Sequence, residues 1–133
     1  MPEATRLDLP ALRRCLRGET DVVCATLFGS AQGGVLPDGG DVDVAVLFRA
    51  LPAPEAFLDF YSRLCDAVRV TDKVDLVVLN RAHPILAFEA IRGRFLVKND
   101  PAATAAFFSL ACREYEDVMA NLEDQRRMRA APA

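Results

Sequence analysis

The chain has little that would tie it to zinc, a membrane or a bare nucleic-acid backbone. It contains one histidine, His83, and its four cysteines (Cys15, Cys24, Cys65 and Cys112) form no C-x-x-C pair. Zinc sites draw on clustered Cys and His, so His83, lying just ahead of Pro84, reads as a capping or surface residue. Scattered thiols in apolar or helical patterns behave as small hydrophobes, which suits a reducing compartment. No apolar run approaches the roughly 20 residues that cross a bilayer, and the N-terminus lacks the apolar stretch of a signal peptide. The expectation is a cytoplasmic protein without a membrane partner. Basic charge is not in excess either: 16 Lys and Arg stand against 19 Asp and Glu, for a net charge of −3. A generic nucleic-acid binder or a polymerase needs a basic track, so no direct nucleic-acid binding is expected. Repeats and low-complexity segments are also missing.

What remains is ordinary globular composition, 52% hydrophobic and 26% charged over 133 residues, enough for one domain with a core. A single domain over 1–133 is expected, with a disordered tail at 130–133. Leu9, Leu12 and Leu16 recur at helical spacing after Asp8, with Pro10 early in the helix and Gly18 at its end; Arg13, Arg14 and Arg17 then face solvent. Val22 to Phe28 is an apolar run suited to a strand buried on both faces. Residues 33–40 read as a glycine-rich loop, and Asp41 to Phe48 as a second strand. A helix follows from Pro52, with Phe57, Phe60, Tyr61, Leu64, Cys65 and Val68 on one face. Val74 to Leu79 is a third strand, 84–92 a short helix and Arg94 to Val97 a short strand. Asp100 and Pro101 begin a long last helix. Its apolar stripe, from Phe107 through Phe108, Ala111, Cys112, Tyr115, Val118 and Met119 to Leu122, is wider than one small sheet needs. It is assigned to packing within the chain, with a partner surface as the alternative.

The chemistry is concentrated between Gly29 and Asp43. The first strand ends in Gly29-Ser30, a turn in which glycine allows close approach and serine offers a hydroxyl beside backbone N–H groups. Ten residues on, Asp41 and Asp43 open the next strand. Strand alternation turns both to one face with Ala45 and Leu47, leaving Val42, Val44, Val46 and Phe48 on the other. Two carboxylates about 5 Å apart repel by roughly 3 kcal/mol at an effective dielectric near 20, and Mg²⁺ is the usual ion for an oxygen-only pair. Asp75, near the head of the third strand, completes a three-carboxylate set if that strand lies beside the second. The combination describes nucleotidyl transfer. Two carboxylates hold metal on a nucleoside triphosphate, a Gly-Ser turn cradles its phosphates, and a third carboxylate helps deprotonate the attacking hydroxyl and shares a second metal.

At these residues the sequence resembles the minimal nucleotidyltransferases of the DNA polymerase β superfamily, whose G-S-x10-D-x-D pattern is met by Gly29, Ser30, Asp41 and Asp43. Asp75 stands where that family carries its third carboxylate. The stretch from Pro84 to Asp100 resembles the corresponding segment of MntA-type proteins, and Tyr115 and Asp117 match a Tyr-x-Asp of their final helix, so about 20–118 is covered. The resemblance implies a polymerase-β-like α/β fold: a small mixed sheet flanked by helices, with a long C-terminal helix. It also implies an antitoxin paired with a HEPN-domain RNase toxin, silencing it by transfer of AMP from ATP to a tyrosine hydroxyl. In that reading Gly29 and Ser30 hold the triphosphate, Asp41 and Asp43 hold Mg²⁺, and Asp75 assists the tyrosine.

One departure stands out. Relatives often read G-S-x-A-R-G, whereas here Gln32 and Gly33 replace the alanine and arginine. A phosphate-facing cation is thereby lost, leaving Arg49 or Lys73 to compensate, and Gly33-Gly34 weaken the helix expected after the turn. That departure, with the wide apolar face of the last helix, keeps open a non-catalytic antitoxin that occludes its partner. A small-molecule nucleotidyltransferase of the aminoglycoside type is a third reading, disfavoured because the chain has little room for a separate acceptor domain.

Overall fold

The computed structural model describes residues 5–130. Two short strands, β1 (Thr5–Arg6) and β3 (Val35–Leu36), pair antiparallel beside a four-stranded sheet of β2 (Val22–Phe28), β4 (Val42–Phe48), β5 (Val74–Val78) and β6 (Arg94–Lys98). The sheet runs in the order β5-β4-β2-β6; β2 is antiparallel to both neighbours, while β4 and β5 are parallel. The parallel pair requires a crossover, supplied by helix α2 (Pro54–Val68). Helices α1 (Leu9–Arg17), α3 (Pro84–Ile91) and α4 (Pro101–Ala130) complete the fold. This is the mixed α/β fold with a long last helix that the sequence implies.

Local chemistry explains the boundaries. Asp8 caps α1 by accepting from Ala11 N at 3.0 Å, and Asp100 does the same for α4 from Ala103 N at 3.0 Å. His83 is a cap: its Nδ1 accepts from Ile85 N at 3.1 Å. All four cysteines are free thiols, with Cys24 buried and the others partly so, and burial raises the Cys15 and Cys24 thiols above their ordinary range.

The sheet separates two apolar cores. On one side Val42, Val44, Val46 and Phe48 pack with Leu12 and Leu16 of α1 and Phe60, Leu64 and Val68 of α2. On the other, Ala45 and Leu47 meet Ala87, Ala90 and Ile91 of α3 and Ala111 of α4. The alternation read along β4 therefore divides the molecule as drawn from sequence.

Several expectations need correction. The loop at 33–40 contains β3, whose pairing with β1 is too short to leave a periodic signal. After Gly29 the chain makes only a three-residue 3₁₀ turn, Gly29–Ala31, in place of a helix. Arg13 does not simply face water: its Nε donates to the Leu96 carbonyl at 3.2 Å, satisfying a backbone acceptor on the outer strand β6. Arg49 pairs with Asp100 at 3.0 Å, at the end of β4 remote from Asp43, so it cannot serve the Gly-Ser turn. The stripe of α4 is not all core: Thr104 and Ala111 are its buried residues, while Phe108, Met119 and Leu122 are 40%, 42% and 46% exposed. Helix α4 extends to Ala130; the rest of the tail assigned to disorder lies outside the described residues.

Candidate active site

One end of the sheet collects the C-terminus of β2 and the N-termini of β4, β5 and β6. In register, Phe28 stands opposite Asp43, Asp43 opposite Asp75, and Leu27 opposite Arg94. Directly paired residues project to the same face of a sheet, so Asp43 and Asp75 lie side by side on the face that Ala45 and Val77 share with α3 and α4. Asp41 precedes β4 by one residue and is exposed. The Asp43 carboxyl is pushed above its usual range, first by burial, then by the negative charges of Asp75 and Asp41.

Gly29 fits against this cluster. Its φ is +73°, a conformation L side chains rarely adopt, and a Cβ there would collide with the Asp43 carboxylate. Positive φ favours glycine at this turn, and the missing Cβ leaves room for the Asp43 carboxylate to approach. Ser30 follows, exposed on the same turn. The structure brings Gly29, Ser30, Asp41, Asp43 and Asp75 to one end of the sheet.

The strand bearing Asp75 is held from two sides. Val42 N donates to the Lys73 carbonyl at 2.9 Å, and the Tyr61 hydroxyl donates to the Val74 carbonyl at 2.7 Å. Helical spacing places Tyr61 only in the core; its second role depends on where α2 docks, which no local pattern reports. Tyr115 is a packing residue, its ring stacked on Phe88 at 3.9 Å and 11°.

The donor set suits Mg²⁺. Among the described residues no group of three or more Asp, Glu, His or Cys side chains is placed to hold a metal ion on its own. Mg²⁺ does not ask for one: it is commonly bound through one or two carboxylates and keeps water and substrate phosphates as its other ligands. Adjacent, mutually repelling, oxygen-only donors beside an open turn fit that habit.

Such a site on such a fold defines a nucleotidyltransferase class, and sequence comparison agrees. The family described as "Polymerase beta, Nucleotidyltransferase" matches residues 11–102, and the chain belongs to it. No curated protein matches it in sequence. Among solved structures it is similar to a toxin–antitoxin crystallised with AMP-PNP, at 22% identity and a TM-score of 0.73, over 94% of this chain and 100% of that one. A mutant MntA–toxin structure superposes with a TM-score of 0.74 at 21% identity, over 94% and 100% of the two chains. A tri-AMPylated HEPN toxin from Shewanella oneidensis in complex with MNT antitoxin gives 0.67 at 21% identity, over 92% and 96%. At these identities the likeness concerns the fold. No helix among the described residues is long and apolar enough to cross a membrane.

Proposed function

We propose that this chain is an antitoxin that transfers AMP from ATP to a tyrosine hydroxyl of a HEPN-domain RNase toxin, in a Mg²⁺-dependent reaction, and thereby silences it in the cytoplasm. The observation that carries the reading is the placement of Asp75 directly opposite Asp43, with Asp41 and the Gly29 turn at the same sheet end. It is supported by fold relatives that include a complex with AMP-PNP and a tri-AMPylated HEPN toxin.

Asp41 and Asp43 would hold the metal, with Asp75 available to share a second ion. Bound Mg²⁺ would supply the positive charge that offsets the carboxylates and the triphosphate. Ser30 and the backbone of its turn would hold the phosphates. The tyrosine oxygen attacks the α-phosphorus, the bond from that phosphorus to the bridging oxygen breaks, and pyrophosphate leaves. Asp75 receives the tyrosine proton. The elevated proton affinity of Asp43 in the metal-free site comes first from its burial and then from the neighbouring Asp75 and Asp41 carboxylates.

The alternative of occlusion without transfer is favoured by one observation, the exposed apolar residues Met119 and Leu122 on α4. Intact-mass spectrometry of a HEPN partner incubated with the protein and Mg-ATP separates the two. Mass gains in whole AMP units, absent with Asp41→Asn/Asp43→Asn, support transfer. An unmodified partner whose RNase activity is blocked equally by both forms supports occlusion.

A further inference from the structure

The carboxylates occupy one side of the Gly29–Gly34 loop, and a cation occupies the other. Gly34, with φ +84°, is tucked between α1 and β6: a Cβ built on it would lie 3.2 Å from Leu9 Cδ1 and 3.6 Å from Arg94 Nη1. Arg94 is the first residue of β6 and stands opposite Leu27, two residues before Gly29. Its side chain therefore runs up to the loop from the α1 face, whereas Asp43 closes on Gly29 from the α3–α4 face. Arg94 is exposed, and among the described residues no carboxylate forms an ion pair with it. Of the two cations that the sequence offered as substitutes, Arg49 is paired with Asp100, and Lys73 immediately precedes β5 at the sheet end that carries Asp75.

A triphosphate laid along this loop carries more negative charge than a metal ion at the carboxylates can offset. Its outer phosphates need a donor on the side away from Asp41, Asp43 and Asp75. Arg94 has the right chemistry, a guanidinium that binds phosphate oxygens through two parallel N–H donors. The geometry points to Arg94 as the residue that binds the β- and γ-phosphates of the nucleotide, making the loop a passage between an acidic wall and a basic one. The inference rests on the proposed nucleotidyl transfer and adds to it a phosphate-binding residue supplied from a strand distant in sequence. Gly33 is compatible with it, since a Cβ there would meet nothing within 4 Å; the loop has room for a second cation.

The test is equilibrium binding of AMP-PNP and of AMP, each with Mg²⁺, by calorimetry on the full chain. Arg94→Ala is expected to weaken AMP-PNP by on the order of tenfold or more, the loss of one charge-assisted phosphate contact. AMP, which lacks the outer phosphates, should bind equally to both forms. Arg94→Lys should fall between, and Gly33→Arg added to Arg94→Ala should recover part of the loss. Melting of Arg94→Ala is expected to match wild type, which separates a binding defect from a folding one. Unchanged AMP-PNP affinity in Arg94→Ala, or equal weakening of AMP and AMP-PNP, would overturn the inference. A wild type that binds AMP-PNP through Arg94 but adds no AMP to a HEPN partner would instead sink the proposed transfer while leaving this assignment standing.

Discussion

On the α1–α2 side of the central sheet, β4 presents Val42, Val44, Val46 and Phe48 to leucine and phenylalanine side chains of two helices. On the α3–α4 side the same strand presents Asp43, Ala45 and Leu47 to a surface built largely of alanines, with Asp43 facing Asp75. One strand thus serves two purposes by alternation alone. The first face is filled with bulky groups and has no polar residue to satisfy along β4. The second is thinner and keeps its polar groups where they are answered by neighbours, as in the bond from the buried Thr26 hydroxyl to the Ala90 carbonyl at 2.8 Å. The difference teaches that stability and chemistry are carried by opposite faces of the same seven residues, so each can be broken separately.

The largest effect is expected from Asp41→Asn/Asp43→Asn. Transfer to a HEPN partner should fall by about 10³-fold or more, because the metal loses its ligands, while the circular dichroism spectrum stays that of wild type. The mirror-image change is Leu64→Ala on the opposite face, a fully buried side chain. It should cost about 3 kcal/mol in urea unfolding, with transfer per folded molecule unchanged. Gly29→Ala strikes the boundary between the two. Positive φ and the collision with the Asp43 carboxylate should cost about 1–2 kcal/mol and reduce transfer as well, both read on one preparation.

The smallest effect concerns Asp43 alone. Its carboxyl holds a proton more tightly in the folded chain than in the unfolded one, so its contribution to stability is fully present below the ordinary aspartate range, near pH 4. That contribution is lost as pH rises through the elevated value. Metal-free Asp43→Asn should therefore melt a few degrees above wild type at neutral pH, by about 1 kcal/mol or less, and the gap should close toward acid. Melting curves at several pH values in EDTA check the sign.

Much of this was legible in the sequence because the relevant signals are short-range. Apolar runs marked β2, β4 and β5, capping residues marked α1 and α4, and Asp-x-Asp spacing put two carboxylates at the start of β4. The level of Asp75 beside Asp43 was not legible. It depends on how far α2 carries the chain before β5 begins and on the docking of Tyr61 against Val74. Nor was the distant pairing of β1 with β3, because two residues per strand leave no period to detect. The stripe on α4 misled for a related reason: helical spacing of apolar residues reports an amphipathic face, not what covers it, and Met119 and Leu122 are left exposed.

The most direct test of the central claim is a crystal structure with Mn²⁺ and AMP-PNP, recorded at a wavelength where manganese scatters anomalously. An anomalous peak is expected at coordination distance from Asp41 and Asp43, on the sheet face that Asp75 shares, with the triphosphate running along Gly29 and Ser30. A nucleotide bound without metal at those carboxylates, or a metal held on the α1–α2 face, would contradict it.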